Sequence, residues 1–200
     1  MKTFKIHLIR HGLTEGNLKQ QYIGKTDLPL AGVGVSELMR LKEEVDYPRV
    51  DNVYSSPMLR CKQTANILYP AKDVGLVDNL REIDFGEFEG KTAAELEALP
   101  SYADWAAGRI SAAPAGEDNT EFAKRLCVGL NEIVRDMMRT NAEHSAVIMH
   151  GGAIMMLLTS CAVPRKSMVE WTCPAGSGFT ICVTPSLYHS SGIVEVIGYV

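Results

Sequence analysis

Four short runs of this chain are apolar and rich in Val, Ile or aromatic residues, at positions 4–9, 50–54, 74–77 and 145–149. Runs of that length and composition predict β-strands. The segments between them follow another period. Across 31–45, Val35, Leu38, Leu41 and Val45 recur at helical spacing. After the second run, Ser56 offers an N-cap with Pro57 at the first helical position, and Cys61, Ala65 and Leu68 then share one face. Strand alternating with helix implies right-handed crossovers, and hence a mainly parallel sheet covered on both sides. The predicted fold class is α/β, a three-layer α/β/α sandwich.

The stretch from Val77 to Ser145 is too long for one crossover. Thr92 and Glu95 have the spacing of a capping box, and a second short helix is predicted around 101–107. A longer helix follows, with Phe122, Leu126, Leu130, Ile133, Val134 and Met137 along one stripe. Residues 91–119 therefore read as an insertion covering one end of the sheet, with Pro114-Ala115-Gly116 as a turn. Residues 178–184 and 192–200 read as two last strands joined by a loop holding Pro185 and Ser186. One domain over 1–200 is expected, with no internal repeat.

Composition narrows the function. Two hundred residues at 46% hydrophobic suffice for one sizeable core. The net charge of −4 provides no general attraction to nucleic acid or to an anionic membrane. No run of about 18 apolar residues is present, and the N-terminus lacks a signal-peptide pattern. Cys61, Cys127, Cys161, Cys173 and Cys182 are odd in number without CxxC spacing, which fits buried thiols in a reducing compartment. The expectation is a cytoplasmic protein with a small-molecule partner; oligomeric state stays open.

The chemistry gathers at strand ends, where open parallel sheets bind ligands. Arg10 and His11 directly follow the first strand, Arg60 lies just past the second, Glu82 follows the third by a short loop, and His150 with Gly151 ends a later one. Two arginines and a histidine can grip a phosphoryl group, which carries about two negative charges. His11 fits a neutral nucleophile with its other ring nitrogen held by a carbonyl near Gly12, and Glu82 fits a general acid. Gly12 would allow a tight turn, and Gly151-Gly152 a close backbone approach to phosphate.

Each motif alone also fits an ordinary turn, and Glu82 could simply pair with Arg81. His7 reads as a core histidine, His144 and His189 as exposed, and Met155 to Leu158 as core. Trp105 and Trp171 read as packing residues. No HxH spacing occurs among the five histidines, His7 and His11 are four apart but on and just past a predicted strand rather than on one helix face, and no carboxylate cluster sits among the motifs, so neither a metal nor a cofactor is expected.

Taken together, Leu8 to Asn17, Tyr22 to Leu30, Ser55 to Ala65, Arg81 to Gly90 and His150-Gly151-Gly152 resemble the histidine phosphatase superfamily, in its phosphoglycerate mutase-like branch. The resemblance implies a phosphohistidine at His11, a phosphate pocket of Arg10, Arg60 and His150, and Glu82 as proton donor. It adds Asn17 as a phosphate contact, with Tyr22, Ile23, Gly24 and Gly151 near the substrate. Within the superfamily, Arg81 to Gly90 and Pro114 to Asp118 are most similar to alpha-ribazole and broad-specificity phosphatases. The Arg-His-Tyr-Gly element that mutases carry after the glutamate is absent, while Leu13 and Met155 replace residues that are commonly charged. The implied activity is hydrolysis of a small phosphate ester, alpha-ribazole phosphate among the candidates. Its rivals are mutase-type phosphoryl transfer and a non-catalytic phospholigand-binding module.

Overall fold

The computed structural model describes residues 3–200. β1 (Phe4–Arg10) leads through the one-turn α1 (Glu15–Leu18) and α2 (Gly32–Glu44) to β2 (Asn52–Ser55), α3 (Leu59–Leu68) and β3 (Val74–Leu76). The insertion supplies α4 (Ala93–Leu96) and α5 (Pro100–Ala106), and α6 (Asn119–Thr140) returns the chain to β4 (His144–Met149). α7 (Gly151–Cys161), β5 (Ala162–Val163), β6 (Gly178–Val183), α8 (Pro185–Ser191) and β7 (Val194–Tyr199) complete it. The seven strands form one sheet in the order β3-β2-β4-β1-β6-β7-β5. Pairings are parallel except those of β6, which runs antiparallel to both β1 and β7.

Burial on both faces explains the apolar runs Leu8-Ile9 of β1 and Ala146 to Met149 of β4. Ile6, Leu8, Val147 and Met149 belong to a cluster completed by the stripe of α6 and by Ala153, Ile154, Leu157 and Leu158 of α7. Ile9, Ala146 and Ile148 face the other way, toward Leu38 of α2 and Cys61, Ala65 and Leu68 of α3. Each large aliphatic side chain so buried contributes roughly 1.5–3 kcal/mol. α6 is tightly bounded: Asp118 accepts from Thr120 N at 2.7 Å, and Asn141 closes the helix at φ 58°.

Some boundaries differ from expectation. α3 begins at Leu59 with Met58 as its N-cap, so Ser56 does not cap it and Pro57 is not its first residue. The Ser56 side chain is drawn instead to His150. Pro185 and Ser186 open a helix where a loop was expected; Pro185 at its first position and Gly192 at φ 68° frame α8, and Tyr188 is buried beneath it. His144 is half-buried at the start of β4, its ring stacked on His7 at 6.1 Å, and is not an exposed loop residue. The Thr92–Glu95 capping box is present. Around Pro114-Ala115-Gly116 the chain turns with Ala115 at φ 56°, and Glu87 N donates to Pro114 O. No helix among the described residues is long and apolar enough to cross a membrane.

Candidate active site

Strand register sets the site. Arg10 lies opposite Met149 and Ser55 opposite Ile148, so β1, β4 and β2 end at one edge. His11, His150 and Ser56 each emerge there one residue later. The main chain reinforces the alignment, with His11 N donating to Met149 O and Ser56 N to Ile148 O, both at 2.9 Å.

His11 is buried, and its Nδ1 donates to the Gly12 carbonyl at 2.7 Å. That bond leaves Nε2 as the unprotonated nitrogen. Burial lowers the imidazole pKa to about 3, the Arg60 and Arg10 charges adding to the effect and the Gly12 carbonyl opposing it. His11 is therefore neutral at physiological pH, with a free lone pair on Nε2. Gly12 serves packing more than turning: a Cβ there would sit 2.5 Å from Leu38 Cδ1.

Arg60 is buried in the first turn of α3. Its Nε donates to His150 Nδ1 at 3.3 Å, and its terminal nitrogens to Thr26 O and Gly24 O, both at 2.9 Å. Since His150 Nδ1 accepts, its Nε2 carries the proton and donates to Ser56 Oγ at 2.8 Å. The two histidine rings meet edge-on, 5.2 Å between centroids. Burial, with His11 and the arginines, holds His150 well below its ordinary pKa. Arg10 donates to Cys173 O at 2.8 Å, whereas its buried Nε has no partner among the described residues. A buried N–H of a cation without an acceptor is unfavourable unless an anion completes it. It lies against Gly151, whose added Cβ would be 3.2 Å away.

Glu82 is buried and accepts from Gly152 N at 2.9 Å and from Ile83 N at 3.0 Å. Burial raises its pKa; both N–H bonds and the Arg60 and Arg125 charges oppose this, and burial wins. Its carboxyl occupies the space above Gly152, where a Cβ would come within 2.8 Å of Oε1. The absent side chain at Gly152 thus makes room for the acid. Arg81 bonds Asp78, leaving Glu82 free of that pairing.

The remaining expected site residues fall into two groups. Gly24 joins the pocket through its carbonyl on Arg60, and a Cβ there would lie 1.8 Å from Ile83 O. Asn17 accepts from Thr14 N and Thr14 Oγ1 at 3.0 Å, with its amide N–H donors unpartnered among the described residues. The side chains of Tyr22 and Ile23 make contacts of their own. Tyr22 shares a hydroxyl contact of 2.8 Å with Tyr102, and its ring stands 5.2 Å from Phe85 and 5.5 Å from Trp105. Ile23 packs over Gly16, filling the space that a Cβ would need.

Ser56, Glu89 and Arg125 were not anticipated. Glu89 gathers the 24–26 loop, accepting from Gly24 N, Lys25 N and Thr26 Oγ1 at 2.8–2.9 Å. Its place in the Arg81 to Gly90 motif was a signal; Arg125, on the flank of an ordinary amphipathic helix, carried none. Cys61 Sγ lies 3.6 Å from His150 Nε2, and burial pushes its thiol up, so it packs and stays protonated. No group of three or more His, Cys, Asp or Glu side chains suited to a metal occurs among the described residues.

A broad-specificity phosphatase of Saccharomyces cerevisiae is 32% identical to this chain over 161 residues, spanning 77% of this chain and 68% of that protein. The adenosylcobalamin/alpha-ribazole phosphatase of Salmonella typhimurium is 26% identical over 190 residues, with 89% and 91% covered. The crystal structure of the alpha-ribazole phosphatase from Shigella flexneri superposes with a TM-score of 0.79 over 98% of this chain and 95% of that one. Its 22% identity makes it a likeness of fold. Residues 6–184 match the sequence profile of the histidine phosphatase superfamily (branch 1). With that profile spanning nearly the whole chain, the protein belongs to the histidine phosphatase superfamily and is a phosphatase.

Proposed function

We propose that the protein is a phosphomonoesterase that hydrolyses a small, soluble phosphorylated metabolite through a phosphohistidine at His11. The observation that carries this reading is the pairing of a neutral His11, its Nε2 free, with a buried Arg10 Nε that has no acceptor. In the first step the Nε2 lone pair attacks phosphorus and the P–O bond to the leaving group breaks. Glu82 gives its proton to the departing oxygen, which leaves as an alcohol. In the second step the Glu82 carboxylate takes a proton from water as its oxygen attacks phosphorus, the P–N bond breaks, and inorganic phosphate leaves. Arg10 and Arg60 hold the equatorial oxygens, joined by His150 as it turns its Nε2–H from Ser56 Oγ to the phosphoryl group, with the charge neutralisation that Mg²⁺ supplies in other phosphoryl transferases.

A leaving group with a flat, partly apolar body, as in alpha-ribazole phosphate, suits the Tyr22, Phe85 and Trp105 rings beside the 24–26 loop. The name of the Salmonella relative supports the same choice. The test is phosphate release from a panel holding alpha-ribazole phosphate, sugar phosphates and phosphoserine, with acid-labile, base-stable phosphoenzyme trapped from labelled substrate. His11→Ala should abolish both turnover and trapping. Turnover retained in that variant, or transfer of the phosphoryl group between substrates without release of phosphate, would overturn the proposal.

A further inference from the structure

Glu82 lies on an irregular segment between the 3₁₀ turns Asp78–Leu80 and Gly86–Phe88, so its backbone is fixed by neither a strand nor a helix of its own. What holds the segment is a side chain from α6. Arg125 donates from one terminal nitrogen to Asn79 O at 3.0 Å and Arg81 O at 2.8 Å. From the other it donates to Glu82 O at 2.9 Å and Glu117 Oε2 at 2.7 Å, while its Nε bonds Glu117 Oε1 at 2.5 Å. A guanidinium has five N–H donors, and all five are used. The ion pair is mostly buried, with side-chain exposures of 23% and 19%. Glu117 closes the frame from its own main chain, donating to Asp84 O at 2.9 Å. Phe122, one turn earlier on α6, lies under the guanidinium at 4.7 Å.

We propose that Arg125 is a positioning residue for the general acid: by holding the carbonyls of Asn79, Arg81 and Glu82, it sets where the Glu82 carboxyl meets the leaving oxygen. The inference rests on Glu82 being the proton donor. Lysine is a poor substitute, because its ammonium presents three donors from one point and cannot reproduce a planar fork spanning three carbonyls and a carboxylate. A misplacement of the acid by about 1 Å is enough to lower the rate up to roughly 10²-fold. That loss falls on substrates that need their leaving oxygen protonated.

The experiment measures kcat for an alkyl phosphate and for 4-nitrophenyl phosphate in four proteins: wild type, Arg125→Lys, Glu82→Gln and the double variant. Arg125→Lys is expected to lower kcat on the alkyl phosphate by roughly 10–100-fold and on the nitrophenyl ester far less. In the Glu82→Gln background it should cost nothing further on either substrate. Equal losses on both substrates, or a full additional loss in the double variant, would show that Arg125 does not act through Glu82 and would overturn the inference. If Glu82→Gln alone shows no dependence on the leaving group, the donor assignment falls and takes this inference with it. Should Arg125→Lys fail to fold, Glu117→Gln carries the same comparison, since losing the carboxylate charge that anchors Arg125 loosens its hold on the three carbonyls.

Discussion

Replacing Gly152 by alanine separates the stability of this protein from its chemistry. Gly152 is the second residue of α7, and an added Cβ would stand 2.8 Å from Glu82 Oε1, 3.0 Å from Oε2 and 3.1 Å from the carboxyl carbon. Those separations are several tenths of an ångström inside van der Waals contact. The group that must yield is the end of a flexible side chain, so the fold loses little. Alanine in a helix is worth up to about 1 kcal/mol over glycine, which offsets the contact. Glu82, in contrast, must leave its 2.9 Å bond from Gly152 N and the place it occupies over the pocket. The thermal midpoint of Gly152→Ala should therefore equal or exceed that of wild type. Its kcat on an alkyl phosphate should fall roughly 10–100-fold, with a much smaller loss on 4-nitrophenyl phosphate. Gly151→Ala makes a useful control, since its Cβ would meet Arg10 Nε at 3.2 Å and disturb phosphate binding with no preference between leaving groups. Full activity of Gly152→Ala on the alkyl ester would refute the reasoning, because the carboxyl cannot keep both its position and its role against that contact.

Other outcomes follow from the same geometry. Glu82→Gln should lower turnover of an alkyl phosphate roughly 10²–10⁴-fold, and a comparable loss from Glu87→Gln would show the acid to be misassigned. Folded-state pKa values of about 4 for His7 and about 3 for His11, with His150 also lowered, mean that the unfolded chain takes up protons below pH 6.5 that the native protein refuses. Stability should be full above pH 6.5 and fall toward pH 4, by up to about 1.4 kcal/mol per pH unit for each fully titrating group. The raised pKa of Glu82 opposes this as a single group, favouring the native state at acid pH. An unchanged urea midpoint between pH 7 and pH 5 would contradict the burial argument. Turnover should survive exhaustive chelation and be inhibited by vanadate; recovery of a chelated, inactive enzyme with one particular metal would exclude the proposed chemistry. Leu126→Ala, at a fully buried position of α6, should lower stability by about 2–5 kcal/mol in denaturant titration.

Much of this was legible along the chain because its cause is local. The stripe of α6 reads at helical period since one face must meet the sheet, and the Thr92–Glu95 box is complete within four residues. The end-of-strand placement of Arg10, His11 and His150 follows from alternation of strand and helix alone. Even the missed helix α8 had its marks in Pro185 and Gly192. Other features depended on what arrives from elsewhere. Ser56 looked like a helix cap because nothing nearby reveals that His150, distant in sequence, will take its hydroxyl. Gly12 and Gly152 looked like turn residues, yet what excludes a side chain at each is Leu38 in one case and Glu82 in the other. The Tyr22 side chain meets Tyr102 and Ile23 packs over Gly16, partners that no spacing announces. Arg125 is the clearest case: one charged residue among several on a long helix, its meaning arises only when three carbonyls and Glu117 converge on its five donors. Periodicity and caps are short-range, so the sequence by itself determines the elements and the edge at which they end. The partners of a buried polar group are set by long-range packing, and only the tertiary structure decides them.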